Sequence, residues 1–317
     1  MSSLLPRTPH ITPADFIDRH LGPHAPVVVT GEVTQWPAFT TWTWDHLTGL
    51  LGGFEADVYD DWFTPTATAV FADFVAATIG IDGAREQRYL RWFSRCGPGD
   101  GRWADDVFAA VRADWRRPAF MPASGYVVPP VASAARIDPT VDPMPYRALF
   151  VSGRGARTRL HLDPWGSSAI LCQVVGDKHV SMWPPAQHDV MLALSEQGRA
   201  GDSCGVPPGY DDMLHAGEAL YIPAGWWHEV DTVTDSVSVT WNFVHATDGE
   251  AFLRHVRAVP DDPELDVAAY FLAASPGAAP RGADLAALAQ ASVDALAAAP
   301  GPVTAVGGRA HAGRETS

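Results

Sequence analysis

The stretch PYRALFVSGRGARTRLHLDPWGSSAILCQVVGDKHVSMWPP, residues 145–185, decides the fold. β-type runs at 146–152, 158–163, 168–175 and 178–183 follow one another with only short turn-forming segments between them. After an insertion at 184–217, rich in PPG and DD turn signals, the same texture resumes at 218–223, 228–233 and 236–244. Several short strands at this spacing predict a sandwich or barrel. Long connections inside compact domains are frequently functional, which draws attention to 184–217. Val175-Gly176-Asp177-Lys178 reads as a tight hairpin turn with Lys178 opening the returning strand.

Two histidines stand out by context. His161 and Asp163 are two apart on an expected strand, and strand side chains alternate faces, so both point the same way. His228 follows Pro223-Ala224-Gly225-Trp226-Trp227 and opens the next strand. Two His and one carboxylate with open positions is the donor set of a non-haem Fe(II) oxygenase. Zinc also accepts two His and one Asp. A hydrolase, a cupin-fold metalloenzyme without a cosubstrate and a catalytically silent binding module are therefore competing readings. Lys178 and Thr158 weigh against the two enzymes, and the intact triad weighs against the silent module. An inward lysine needs an anion, and the distal carboxylate of 2-oxoglutarate would be one. Thr158, three residues before His161, adds a hydroxyl near the same mouth.

Outward from this core, Thr12-Pro13-Ala14-Asp15 offers an N-cap, a first-turn proline and an acid, predicting a helix with Phe16, Ile17 and Leu21 as its apolar stripe. Residues 26–30 (PVVVT) read as a buried strand, 69–79 as a helix and 89–94 (YLRWFS) as a strand. Trp36, Trp42 and Trp44 read as packing residues. Residues 97–145 are poorly patterned around one helix at 104–115. Helices are expected at 248–258, 263–273 and 283–298. The last carries Leu285, Leu288, Val293 and Leu296 near one stripe, which either packs back on its own barrel or pairs with a second copy in a homodimer. The expected organisation is thus 1–145 as helices and strands flanking the barrel, 146–245 as the core barrel, 246–299 as a C-terminal helical segment and 300–317 as a disordered tail.

Composition narrows the classes. The 317 residues carry 22 basic and 37 acidic side chains, a formal charge of −15, which disfavours a phosphate-gripping face for nucleic acid. The acidic balance suits cationic partners or plain solubility. Cys96, Cys172 and Cys204 form no close pair and so no disulfide framework or thiolate zinc site. MSSLLPRTPH lacks a signal pattern, and no apolar run approaches the ~18 residues needed to span a bilayer. A cytoplasmic protein without membrane or nucleic-acid partners is expected.

The segment 145–185, together with GEALYIPAGWWHEVDTVTDSVSVTWNF at 217–243, resembles the cupin-like, JmjC-type 2-oxoglutarate oxygenases. Within that family it is most similar to the jumonji-domain lysyl hydroxylase once called the phosphatidylserine receptor. HLDPWGSSA, GDKH and GWWH in this order carry the likeness, and PVVVTGEVTQWP extends it to roughly residues 26–245. The resemblance implies a mainly β fold with flanking helices, a double-stranded β-helix or jelly roll. It implies Fe(II) at His161, Asp163 and His228, with 2-oxoglutarate held by Lys178 and Thr158, and O2 as co-reactant. It adds Tyr89 as a further cosubstrate contact, and Thr240 and Asn242 as polar residues lining the pocket. Leu171 stands where the relative has a pocket asparagine, so fewer cosubstrate contacts are expected. The implied reaction is hydroxylation of an unactivated C–H, or N-demethylation, on a peptide or protein side chain such as lysine or arginine, or on a free amino-acid-like metabolite.

Overall fold

Tyr146–Ser152, Ser168–Val175 and Lys178–Trp183 are strands with the bounds expected from sequence, and the chain weaves between two sheets around them. The computed structural model describes residues 2–81, 89–93, 104–127, 146–196, 205–262, 265–272 and 280–298. The expected disordered tail, Cys96 and Cys204 lie outside the described residues.

The N-terminal part runs β1 (Arg7–Thr8), α1 (Pro13–Phe16), β2 (Val27–Val29), α2 (Ala38–Thr41), α3 (Trp44–Leu51), β3 (Glu55–Tyr59), β4 (Pro65–Val70), α4 (Phe71–Thr78), β5 (Tyr89–Phe93) and α5 (Ala104–Ala110). Then come β6 (Tyr146–Ser152), β7 (Arg157–His161), β8 (Ser168–Val175), β9 (Lys178–Trp183), α6 (His188–Glu196), β10 (Tyr210–Leu214), β11 (Ala219–Ile222), β12 (Trp227–Thr232) and β13 (Ser236–Phe243). Helices α7 (Gly249–Ala258), α8 (Leu265–Leu272) and α9 (Gly282–Ala298) close the described chain. Thr12 caps α1 as expected, its hydroxyl accepting from the Asp15 amide at 3.1 Å.

Among the described residues, one sheet has the order β1-β2-β11-β8-β13-β6-β5-β3-β4 and the other β10-β9-β12-β7. From β6 to β13 the chain crosses between them at every step except β9 to β10, which pair in the smaller sheet, so β11-β8-β13-β6 faces β10-β9-β12-β7 in a double-stranded β-helix, a jelly roll. The N-terminal part extends the larger sheet at both edges. The fold is mainly β with flanking helices.

Each face has its own apolar cluster. The outer face of the large sheet packs on the N-terminal helices through Phe16, Trp36, Trp92 and Trp241, with Trp36 edge-on to Trp241 at 6.2 Å. Trp36 and Trp42 are buried and Trp44 packs against the same cluster, so the tryptophan-rich stretch is core. Between the sheets, Val180, Met182, Leu220, Ile222 and Val230 fill part of the barrel interior. Helix α6 covers the small sheet from outside through Met191 and Leu194. The C-terminal helices surround Trp165, which lies edge-to-face with Phe252 and two residues beyond Asp163. The apolar side of α9 packs back on its own chain, with Leu285 and Ala289 buried and Val293 and Leu296 partly so. Leu288 of the expected stripe is half-buried.

Several elements differ from the sequence reading. The hairpin β3–β4 was not foreseen, because PTATAV exposes most of its residues at the sheet edge and carries no apolar alternation. The expected insertion 184–217 holds both α6 and β10. The acids that made YDDML look like a loop are paired instead: Asp211 with His179 and Ser181, Asp212 with Arg7. The expected helix 104–115 ends at Ala110 and continues in turns.

The turn that presents Lys178 is tightly specified. Gly176 has φ +73°, and a Cβ there would sit 2.2 Å from the Asp235 carbonyl oxygen. The Gln173 amide donates to the carbonyls of Val175 and Gly176, and the Asp177 amide donates to Thr234 Oγ1. Gly176→Ala is expected to cost more than about 1 kcal/mol of stability, because left-handed backbone and a backbone clash add. Chemical denaturation checks this through a lower midpoint at unchanged slope.

Candidate active site

His161 ends β7, and its Cα partner across the ladder is His228 of β12. From this pair to the next, Thr158 with Val230, three residues of β7 span two of β12. That bulge resolves a parity problem. Strict alternation would send Thr158 and His161 to opposite faces, whereas both border the cavity here. Between them, Leu160 points outward under α6.

The imidazole rings of His161 and His228 have centroids 4.2 Å apart. His161 Nδ1 bonds the Arg159 carbonyl at 2.7 Å, and His228 Nδ1 bonds the Trp226 carbonyl at 3.0 Å. A carbonyl only accepts, so each Nδ1 carries the proton and each Nε2 keeps its lone pair for a metal. Burial, with His228 beside it, holds the His161 imidazole well below its ordinary range, so it stays neutral.

Asp163 is not on the strand as expected. β7 stops at His161, and Asp163 precedes a single 3-10 turn at Pro164–Gly166. The turn still delivers its carboxylate to the same point. Oδ1 accepts from Asn242 Nδ2 at 2.9 Å, while the buried Oδ2 faces His228 Nε2 at 3.9 Å and has no hydrogen-bond partner among the described residues. Burial pushes this carboxyl up, against the pull of His228 and Asn242. One ligand atom from each of His161, Asp163 and His228 lies within 4.8 Å of the others. Two imidazoles with their Nε2 atoms turned inward and an orphaned buried carboxylate oxygen fit a divalent cation, which would offset the cost of that desolvated charge.

Asn242 reaches Asp163 and Ser167. The expectation made it a pocket-lining polar residue; its amide orients the carboxylate. Asn242→Ala is expected to weaken metal binding about 10–100-fold, the usual effect of losing an outer partner. Calorimetric titration of the metal-free protein with Mn(II) reads it.

The other end of the cavity is cationic. Lys178 is 1% exposed, and its Nζ donates to Tyr89 Oη at 2.7 Å. Burial alone would push the Tyr89 hydroxyl up; the Lys178 and Arg91 cations outweigh it and hold the hydroxyl below the ordinary phenol value. Thr158 Oγ1 accepts from Arg91 Nη2 at 3.0 Å. Thr240 borders the cavity, but its hydroxyl donates to the Ile170 carbonyl. Leu171, facing Thr240 across the ladder, gives the same wall an apolar surface. The cavity has a volume of about 360 Å³.

Sequence reasoning missed Arg91 and Phe63. Arg91 lies two residues after Tyr89 on an expected strand, so alternation alone places both on one face. Phe63 gave no signal. It sits at the tip of the unforeseen β3–β4 hairpin with φ +62°, its ring 4.9 Å from that of His161. The hairpin tip is tied to the opposite sheet by Arg159 Nε on Asp61 Oδ2 at 2.5 Å.

The fold and site define a class, the cupin-like barrels with two His and one carboxylate at the mouth. Comparison with known proteins agrees: the "Cupin-like domain" family matches over residues 210–249. The arginine-specific demethylase JMJ22 of Arabidopsis thaliana is 26% identical over 252 residues, covering 74% of this chain and 44% of the relative. The lysine-specific demethylase JMJ30 of the same plant is 35% identical over 101 residues, 27% of this chain and 23% of the relative. The 2-oxoglutarate and iron-dependent oxygenase JMJD4 of Gallus gallus is 26% identical over 113 residues, 32% of this chain and 27% of the relative. The chain spans less than half the length of these relatives. In sequence and fold it is similar to the cupin-like proteins of the JmjC type. The nearer likeness to one lysyl hydroxylase rests on its sequence motifs alone.

Proposed function

We propose that the protein is an Fe(II)- and 2-oxoglutarate-dependent oxygenase that hydroxylates an unactivated C–H. The observation that carries the reading is the pairing, in one cavity, of a two-His, one-carboxylate cluster with a buried lysine at the opposite end. His161, Asp163 and His228 would hold the iron, and Lys178, Tyr89 and Thr158 the far carboxylate of 2-oxoglutarate. Bound together, these groups supply the oxidation: O2 and 2-oxoglutarate give CO2 and succinate while one oxygen atom enters the substrate C–H.

The chain's own part is placement and exclusion. The backbone carbonyls of Arg159 and Trp226 fix the two imidazoles, and Asn242 fixes the carboxylate. Leu171, Ile222, Val230 and Phe63 make dry walls around the reacting region. Lys178 sets the direction in which a dicarboxylate lies.

Several relatives carry demethylase in their names, and the same site supports that outcome. Hydroxylation of an N-methyl carbon gives a carbinolamine that releases formaldehyde. The substrate in this reading is a peptide or protein side chain such as lysine or arginine, which the net charge of −15 would attract, or a free amino-acid-like metabolite. No helix among the described residues is long and apolar enough to cross a membrane. A cytoplasmic setting without nucleic-acid or membrane partners completes the reading, as does a homodimer through the C-terminal helices, which would use a surface other than the α9 stripe packed on its own chain. Light scattering on the full chain tests the dimer, and a monomer rules it out.

Succinate release on adding Fe(II), 2-oxoglutarate and ascorbate tests the activity. Succinate that requires all of Fe(II), 2-oxoglutarate and O2 is the expected result. A protein that binds Fe(II) at this site yet releases none would overturn it. Mass spectrometry of lysate peptides and metabolites, with and without enzyme, then finds the substrate by the gain of one oxygen atom or the loss of one methyl group.

A further inference from the structure

Arg91 is a second buried cation at the Lys178 end of the site, and the expected ligand set does not include it. It is 2% exposed. β5 pairs with β6 and β3, and its alternation turns Leu90 and Trp92 into the outer core while Tyr89 and Arg91 take the other face. The guanidinium carbon lies 3.9 Å from the Phe63 ring centroid and 4.1 Å from that of Tyr89, with Tyr59 at 5.2 Å and Phe150 at 5.5 Å. Cation–π attraction from several rings offsets part of its desolvation.

Its contacts dictate what two hydroxyls can do. Arg91 Nη2 donates to Thr158 Oγ1, and Lys178 Nζ donates to Tyr89 Oη. A cation carries only donors, so each hydroxyl oxygen is used as an acceptor; the Tyr89 and Thr158 hydroxyls also share a hydrogen bond, which leaves the pair one hydrogen to give to a ligand. Thr158, Tyr89 and Lys178 all border the cavity, whereas Arg91 stands behind this wall. Leu171 contributes no polar atom to the same space. The donors for an anion therefore come from β5, β7 and β9, with none from the β8 position that Leu171 occupies.

We propose that Arg91 is a positioning residue that, through its bond to Thr158, orients the hydrogen-bonded Thr158–Tyr89 hydroxyl pair to donate to the distal carboxylate of the cosubstrate. This rests on the 2-oxoglutarate reading of the site and adds a residue that acts through its neighbours. Arginine suits the task because its planar fork stacks on the rings while one edge bonds Thr158; lysine cannot do both.

The test is binding by calorimetry to the Mn(II)-loaded protein, with 2-oxoglutarate and with 2-oxobutyrate, which lacks the distal carboxylate. Arg91→Met is expected to weaken 2-oxoglutarate about tenfold and to leave 2-oxobutyrate and Mn(II) binding unchanged. A purely structural role would weaken both oxo acids together. Thr158→Val should reproduce the selective loss, and it serves alone if Arg91→Met does not fold. In the double variant the two losses should not add, because both act through one bond. Equal losses on both ligands, or none in a folded variant, would overturn the proposal. Wild-type protein that fails to bind 2-oxoglutarate at all would instead overturn the reading beneath it.

Discussion

Replacing any one of His161, Asp163 or His228 by alanine is expected to remove both Fe(II) binding and 2-oxoglutarate turnover. Losing an outer partner of a metal ligand commonly costs 10–100-fold, so losing a ligand itself should exceed about 100-fold. The geometry leaves no substitute. Among the described residues these three are the His, Cys, Asp and Glu side chains whose ligand atoms cluster within 4.8 Å. Each is held by a separate device: a backbone carbonyl for each imidazole, and Asn242 for the carboxylate. Metal titration with succinate measured on the same samples checks it, and unchanged turnover in either His161→Ala or Asp163→Ala would defeat the assignment.

Lys178→Ala is expected to raise the apparent 2-oxoglutarate constant by one to two decades. A hydrogen bond to a charged group is worth about 1.5–3 kcal/mol, and 1.4 kcal/mol is tenfold. Lys178 is 1% exposed, and its hydrogen-bond partner Tyr89 Oη is neutral when protonated, so a carboxylate would supply the missing countercharge. Metal affinity should stay within a few-fold of wild type, since the lysine lies at the opposite end of the cavity. Steady-state kinetics over a range of 2-oxoglutarate concentrations read the first effect and calorimetry the second. An unchanged 2-oxoglutarate constant would show that the anion sits elsewhere.

How much of this was legible depended on whether the signal was local. β6, β8 and β9 were readable because apolar alternation and a glycine turn specify each within a few residues, and Gly176 has the left-handed φ that its turn calls for. His161 and His228 were readable because both flank turns with strong Gly and Pro signals. Asp163 was placed on the right side of the barrel by the wrong element, because a single 3-10 turn can imitate the reach of one more strand residue. Thr158 could not have been placed by alternation, since only the bulge in β7 brings it to the cavity. The contact of Tyr89 with Lys178 joins residues 89 apart, and no local pattern encodes it; family resemblance alone pointed to Tyr89. The β3–β4 hairpin was illegible because β4 lies exposed at the sheet edge without apolar alternation, and β10 because its acids are satisfied by distant partners, Arg7 and His179, which sequence alone does not place.

The most direct test of the central claim is an anaerobic crystal structure with Mn(II) and 2-oxoglutarate, read by anomalous scattering at the manganese edge. The account predicts one anomalous peak bound by His161 Nε2, His228 Nε2 and Asp163, with the distal carboxylate of 2-oxoglutarate on Lys178. A peak away from these three side chains, or a cosubstrate that leaves Lys178 without a carboxylate, would contradict it.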